Sequence, residues 1–245
     1  MPLSLTRREA HLWLAVPEEI EDPALLQAYR RLMTADEVAR HDRFVFAKGR
    51  HAYLVSRALV RTVLSRYAEI PPDGWRFEAN ALGRPEIAPV VGTPPLRFNL
   101  SHTAGLVACA VALEREVGVD VEDVDCDRAT ADIADRCFSA WEIDSLRALP
   151  APARHERFFE YWTLKESYLK ARGLGLSLPL DSFWFHLEPR PVRIVFDGRV
   201  ADDPETWQFT QLRPTPRHVG AIALRCGPGE PPLDLVTRKV TPLRD

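Results

Sequence analysis

A helix has to run from Phe158 toward Gly175, and the face it buries carries charge. In FFEYWTLKESYLKARGLG, wound at 100° per residue, Tyr161, Leu164, Tyr168, Phe158, Leu169, Trp162 and Phe159 share one broad arc. Two ionisable residues fall inside it. Lys165 lies between Phe158 and Leu169, and Glu166 between Trp162 and Phe159. Charge removed from water is costly unless something pairs it, so each needs a partner from elsewhere in the chain. Lys170 follows Glu166 by one turn and neighbours it on the helix surface. On this helix alone two readings stay open, an internal ion pair and an active site. Gly173 and Gly175 end it.

A second stretch supplies partners. In EVGVDVEDVD, Glu116 to Asp125, the valines at 117, 119, 121 and 124 mark a strand, and period two puts Asp120 and Glu122 on the same face. Adjacent carboxylates repel. A hard divalent cation is the usual remedy, and an exposed acidic strand face is the plain alternative. On the cation reading Asp120 and Glu122 would supply only part of a magnesium site, and Glu166 would supply the third oxygen donor.

The chain is long enough, at 245 residues, for one large domain or two of roughly 120 residues each. A net charge of −3 argues against a general nucleic-acid binder, but charge is unevenly spread. Arg30 to Arg66 holds nine basic residues against three acidic, a net of +6, and Glu114 to Glu160 holds thirteen acidic against six basic, a net of −7. This distribution suits a phosphate-rich ligand together with a divalent cation, although charged faces also serve solvation. Cys109, Cys126, Cys137 and Cys226 show no CxxC spacing, which argues against structural zinc and for a reduced cytoplasmic setting. The N-terminus lacks the apolar core of a signal sequence, and no apolar run approaches the ~20 residues of a membrane span.

Taken in order, HLWLAV at His11 to Val16 reads as a strand, followed by helical segments to His41 with Thr34 and Glu37 as a capping box. A helix over Lys48 to Tyr67 buries Tyr53, Leu54, Leu59, Val60, Val63, Leu64 and Tyr67, with Arg50, Arg57 and Arg61 lining much of the rest. Trp75 to Glu78 is a strand, the turn around Gly83 holds Arg84 on a loop tip, and loop continues to Pro95. RFNLSHTAGLVACAVAL reads as strand, turn and buried strand, with Ser101 and His102 at the turn. Helices follow around Thr130 to Cys137 and after Ser139, where Glu142 completes a second capping box. Strands joined by Pro and Gly turns occupy the remainder, and the Pro-rich tail after Gly227 is expected to be loosely held. The two halves, 1–115 and 116–245, share a rough element order, which hints at a duplicated α+β unit.

FNLSHT at 98–103, GVDVE at 118–122 and WTLKESYLKARGLGLSLPLDSF at 162–183, in this order and spacing, resemble the surfactin-type (Sfp-like) 4′-phosphopantetheinyl transferases. GRP at 83–85 is similar to that family's GKP turn, and RFVFAKGRHAYLVSRALVR at 43–61 to its N-terminal helix. The resemblance implies an α+β fold of two similar halves in pseudo-twofold arrangement with the active site between them. It implies transfer of the phosphopantetheine arm of coenzyme A to a serine of an apo acyl or peptidyl carrier protein, releasing adenosine 3′,5′-bisphosphate. By position, Asp120, Glu122 and Glu166 match the magnesium-binding acids. Arg40, Arg84, Ser101 and His102 match contacts to the nucleotide end of coenzyme A, chiefly the 3′-phosphate, and Lys170 matches the lysine that reaches the pyrophosphate. Arg84 keeps the charge of the family's lysine but presents a planar fork. Glu166 and Lys170 are the expected catalytic pair. Lys165 is grouped with the coenzyme A contacts, and ion pairing or extension past Phe158 to water are its other readings.

The chemistry of the residues agrees, because attack on the β-phosphorus needs mostly positioning and neutralisation of oxygen charge. Two rivals are a non-catalytic carrier-protein or coenzyme A binding module and a magnesium-dependent pyrophosphohydrolase with water as acceptor. The expected setting is a cytoplasmic monomer with neither nucleic acid nor membrane as partner.

Overall fold

A computed structural model describes residues 2–89, 93–126 and 130–244. Contacts divide the chain into two units, one of Met1–Asn80, Pro85–Arg115 and Asp234–Asp245, the other of Ala81–Arg84 and Glu116–Leu233. In the first unit, β1 (Glu9–Ala15) precedes three helices, α1 (Pro23–Leu32), α2 (Ala35–Asp42) and α3 (Ala47–Leu64). A short hairpin, β2 (Phe77–Ala79) and β3 (Pro85–Ile87), and a long one, β4 (Leu96–Thr103) and β5 (Leu106–Leu113), follow. Of the loop expected up to Pro95, residues 90–92 lie outside the described residues.

Short-range chemistry sets the helix starts. Asp22 accepts from the Ala24 amide with Pro23 in the first helical position of α1, and Thr34 and Glu37 form the expected capping box on α2. The Glu37 carboxylate also pairs with Arg61 of α3 at 2.7 Å. Arg61, which lies off the apolar face read from the sequence, is thereby buried, 1% exposed. Leu59 and Val63 of α3 pack with Trp13, Tyr29, Trp75 and Phe98 in one apolar core.

The second unit runs through β6 (Val117–Asp123), α4 (Thr130–Cys137), α5 (Ala140–Arg147) and α6 (Ala151–Arg172). Two hairpins follow, β7 (Phe183–His186) with β8 (Arg193–Phe196), and β9 (Trp207–Thr215) with β10 (His218–Arg225). Ser139 and Glu142 cap α5 as expected. The helix α6 starts earlier than Phe158 and stops where Gly173 takes φ 63°, a conformation that favours glycine. Its apolar arc, Phe158, Phe159, Leu164 and Tyr168, packs with Phe183, Phe185 and Phe209. Truncating one such phenylalanine to alanine costs about 3–5 kcal/mol.

The two units repeat one antiparallel strand order, β1-β5-β4 in the first and β6-β10-β9 in the second. Each is α+β, the class expected from the sequence. The final strand, β11 (Asp234–Lys239), pairs in parallel with β1 from Glu9↔Asp234 to Leu14↔Lys239. The tail expected to be loose is therefore held by a six-residue ladder on the outer edge of β1. The two units accordingly differ from halves cut at 115 and 116, here and at residues 81–84, which join the second unit. Among the described residues no helix is long and apolar enough to cross a membrane.

Candidate active site

The acids meet because strand and helix repeats match. Two residues of strand advance roughly 6.6 Å and four residues of helix about 6 Å, so alternate strand positions stay opposite successive helix turns. Gly118, Asp120 and Glu122 line one face of β6, and α6 runs past them in the opposite sense. At Gly118 a Cβ would sit 2.0 Å from the Ser167 carbonyl oxygen and 2.3 Å from the Ala171 nitrogen, so only glycine admits the helix backbone this close. Two residues on, Asp120 Oδ1 accepts from Lys170 Nζ at 2.5 Å. Two further, Glu122 Oε1 accepts from Trp162 Nε1 at 3.1 Å. Glu166 sits on α6 midway between Trp162 and Lys170.

Glu166 lies within reach of the same charges. Burial raises its carboxyl above the usual range, the charges of Asp120 and Glu122 push it the same way, and Lys170 opposes them. Three carboxylates and one ammonium thus lie on a single strand–helix contact inside the second unit. Among the described residues no group of three or more His, Cys, Asp and Glu side chains converges closely enough to hold a metal ion. The fit to a hard divalent cation lies in donor chemistry, three carboxylates of which Glu166 is held from ionising by burial first and by the charges of the other two second.

Lys165 is placed elsewhere. Its side chain is 0% exposed, and its ammonium donates to Glu142 Oε2 at 2.8 Å, the Leu180 carbonyl at 2.7 Å and the Phe183 carbonyl at 2.6 Å. Three donors on three acceptors leave none for a phosphate, so the expected coenzyme A contact is corrected to a buried ion pair. Glu142 in turn accepts from the Ser139 amide and hydroxyl. Burial drives Lys165 down and Glu142 up, and their pairing opposes both shifts.

Arg84, expected on a loop tip, is half-buried and donates to the Ala171 carbonyl at 2.6 Å and the Val117 carbonyl at 3.2 Å. It bridges the last turn of α6 and the first residue of β6. Ser101 and His102 lie within β4 rather than at its turn, which falls at Ala104 and Gly105. Strand alternation buries Ser101 and exposes His102. Arg40 is exposed on α2 with its guanidinium 5.6 Å from the Tyr53 ring centre. These last three belong to the first unit.

Two contributors escaped the sequence reading. Trp162 counted only as part of the apolar arc, yet its indole N–H holds Glu122. Gly118 stands two residues before Asp120 on the same face, and that spacing was the available sign that something must approach closely there.

Comparison with known proteins accords with this geometry. Residues 116–223 match the model of the 4′-phosphopantetheinyl transferase superfamily, and residues 21–114 match that of 4′-phosphopantetheinyl transferase, N-terminal. The 4′-phosphopantetheinyl transferase HetI of Nostoc sp. is 32% identical over 91% of this chain and 90% of its own length. The 4′-phosphopantetheinyl transferase Sfp of Bacillus subtilis is 35% identical over 65% of each chain. The L-aminoadipate-semialdehyde dehydrogenase-phosphopantetheinyl transferase of Xenopus laevis is 29% identical over 79% of this chain and 68% of its own. With both halves matched in order and one relative similar over nearly the full length, the chain belongs to the 4′-phosphopantetheinyl transferase superfamily.

Proposed function

We propose that the protein moves the 4′-phosphopantetheine arm of coenzyme A onto a serine of an apo acyl or peptidyl carrier protein, with Asp120, Glu122 and Glu166 as ligands of a magnesium ion. The observation that supports this most is the register of β6 against α6, which gathers three acids and Lys170 on one contact. In the reaction the serine oxygen bonds to the β-phosphorus and the bond from that phosphorus to the bridging oxygen breaks. The hydroxyl proton leaves with a base, and adenosine 3′,5′-bisphosphate departs. Asp120, Glu122 and Glu166 would hold the magnesium ion, which would supply neutralisation of pyrophosphate oxygen charge.

The side chains of the chain do the rest. Glu166, raised toward proton affinity by burial and like charge, accepts the serine proton directly or through water. Lys170, already directed at the acid cluster through Asp120, stabilises charge on the leaving phosphate. Arg40, Ser101, His102 and Arg84 serve the nucleotide end of coenzyme A, with Arg84 doing so while anchored to backbone. The nucleophile comes in trans from the carrier. The same reading takes the protein to be a cytoplasmic monomer, and none of its four cysteines is in a disulfide.

Intact-mass analysis of apo carriers incubated with the protein, coenzyme A and magnesium tests the proposal. A carrier should gain one phosphopantetheine, chelator should abolish the gain, and magnesium or manganese should restore it. Coenzyme A cleaved equally well without any carrier would instead identify a pyrophosphohydrolase.

A further inference from the structure

One buried carboxylate outside the acid cluster gathers five hydrogen-bond donors. Asp202, in the connection between β8 and β9, has a side chain only 3% exposed. Its Oδ2 accepts from Tyr168 Oη at 2.7 Å, from Trp207 Nε1 at 3.0 Å and from Arg172. Its Oδ1 accepts from Arg225 at 2.7 Å and from the Asp203 amide at 2.9 Å. Tyr168 and Arg172 both lie on the last turn of α6, four residues apart and so on one face. The residue midway between them is Lys170. At 100° per residue it sits about 180° from their mean direction, on the side of the helix that faces Asp120.

We propose that Asp202 is a positioning residue for the transfer reaction, gripping the terminal turn of α6 from behind so that Lys170 is held against the acids of β6. The inference rests on the transferase reading above. Arg84 completes the hold at the helix end through the Ala171 carbonyl, so residues 168, 171 and 172 are all tied while Lys170 alone points to the acids. The glycine cap already ties the Leu169 and Lys170 carbonyls through the Gly173 and Leu174 amides, and Asp202 and Arg84 add side-chain ties that fix how this turn lies against its neighbours. A shift of even 1 Å in a charged group at a reacting phosphate is costly, on the order of 10²-fold in rate. The hub also keeps its own charge balanced, since Arg172 and Arg225 both face the one carboxylate.

Asp202→Asn keeps the size and one acceptor oxygen but removes the charge. Hydrogen exchange followed by mass spectrometry should show faster exchange at residues 168–172, with residues 158–166 unchanged. Turnover should fall by roughly 10-fold or more while the KM for the apo carrier stays put. Arg225→Gln is the comparison, because it touches the same carboxylate from β10 without belonging to α6. It should melt at lower temperature yet keep wild-type exchange at 168–172 and wild-type turnover. Unchanged exchange in Asp202→Asn overturns the proposal whether or not the transferase reading survives. Equal loss of turnover in both variants overturns it too, since a general loss of stability then accounts for the effect. A wild-type protein that modifies no carrier defeats the transferase reading alone, and the exchange data still decide the positioning role.

Discussion

Lys165 and Glu166 are adjacent in the chain and answer to opposite partners. The Lys165 ammonium lies 2.8 Å from Glu142, with both side chains 0% exposed, while the Glu166 carboxyl lies within the charge field of Asp120, Glu122 and Lys170. One helix turn therefore carries an ion pair that fastens it and an acid that, on the proposed reading, takes part in the reaction.

Lys165→Met removes one half of a buried pair and leaves Glu142 without its counter-charge. The expected loss is about 3–5 kcal/mol in urea unfolding. Adding Glu142→Gln in the same chain should recover part of it, because a neutral pair avoids the stranded charge. A Lys165→Met protein with wild-type stability but weakened coenzyme A binding would return Lys165 to the phosphate-binding set.

Glu166→Gln keeps shape and loses both the proton acceptor and one anionic donor. Turnover should drop about 10²–10⁴-fold, with coenzyme A affinity from calorimetry changing far less. Near-normal turnover would remove Glu166 from proton transfer.

Gly118→Ala places a methyl group where the Ser167 and Ala171 backbone already stands. The helix must back away from β6, at a cost of about 1–3 kcal/mol or more. Turnover should fall further than stability explains, because the same displacement separates Glu166 and Lys170 from Asp120. A melting curve and an initial rate on one preparation check both parts.

His102→Ala removes an exposed strand side chain from the first unit. If it contacts the 3′-phosphate, the KM for coenzyme A should rise about 10- to 100-fold, the range of one hydrogen bond to a charged group. The KM for 3′-dephospho-coenzyme A should barely move. Equal changes for both substrates would place His102 elsewhere.

Acid should weaken the hold on α6. Burial by itself raises the Asp202 carboxyl, but hydrogen bonds from Tyr168, Arg225 and the Asp203 amide, with the Arg172 charge, bring it below its ordinary value. A folded-state value below the unfolded one contributes stability that is present above roughly pH 4 and is lost as pH falls through the folded value. Wild type should therefore lose unfolding free energy more steeply than Asp202→Asn between about pH 4 and pH 2. Parallel slopes for the two proteins would contradict this.

Local pattern was enough for much of the molecule. Period two in β6, the arc of α6 and both capping boxes were legible because each depends on residues a few positions apart. Glu166 was singled out for the same reason, as charge on an apolar arc. Lys165 occupies that same arc, and a helical wheel holds no information on which partner waits outside it. Glu142 was legible as a cap but not as the partner of Lys165, since its second role spans two helices. Arg84 binds backbone carbonyls, which carry no sequence signature at all. The pairing of β11 with β1 joins opposite ends of the chain, and Asp202 gathers partners from α6, β9 and β10.

The ladder between β1 and β11 has a consequence for synthesis. Residues 234–245 complete a unit whose other members precede residue 116, so the second unit is nested within the first along the chain. Until residues 234–239 leave the ribosome, β1 has a ladder partner in β5 on one side and an open edge on the other. The unit begun before residue 116 is thus sealed only after the other is complete, and a chain cut short just before residue 234 has its second unit whole and its first unsealed.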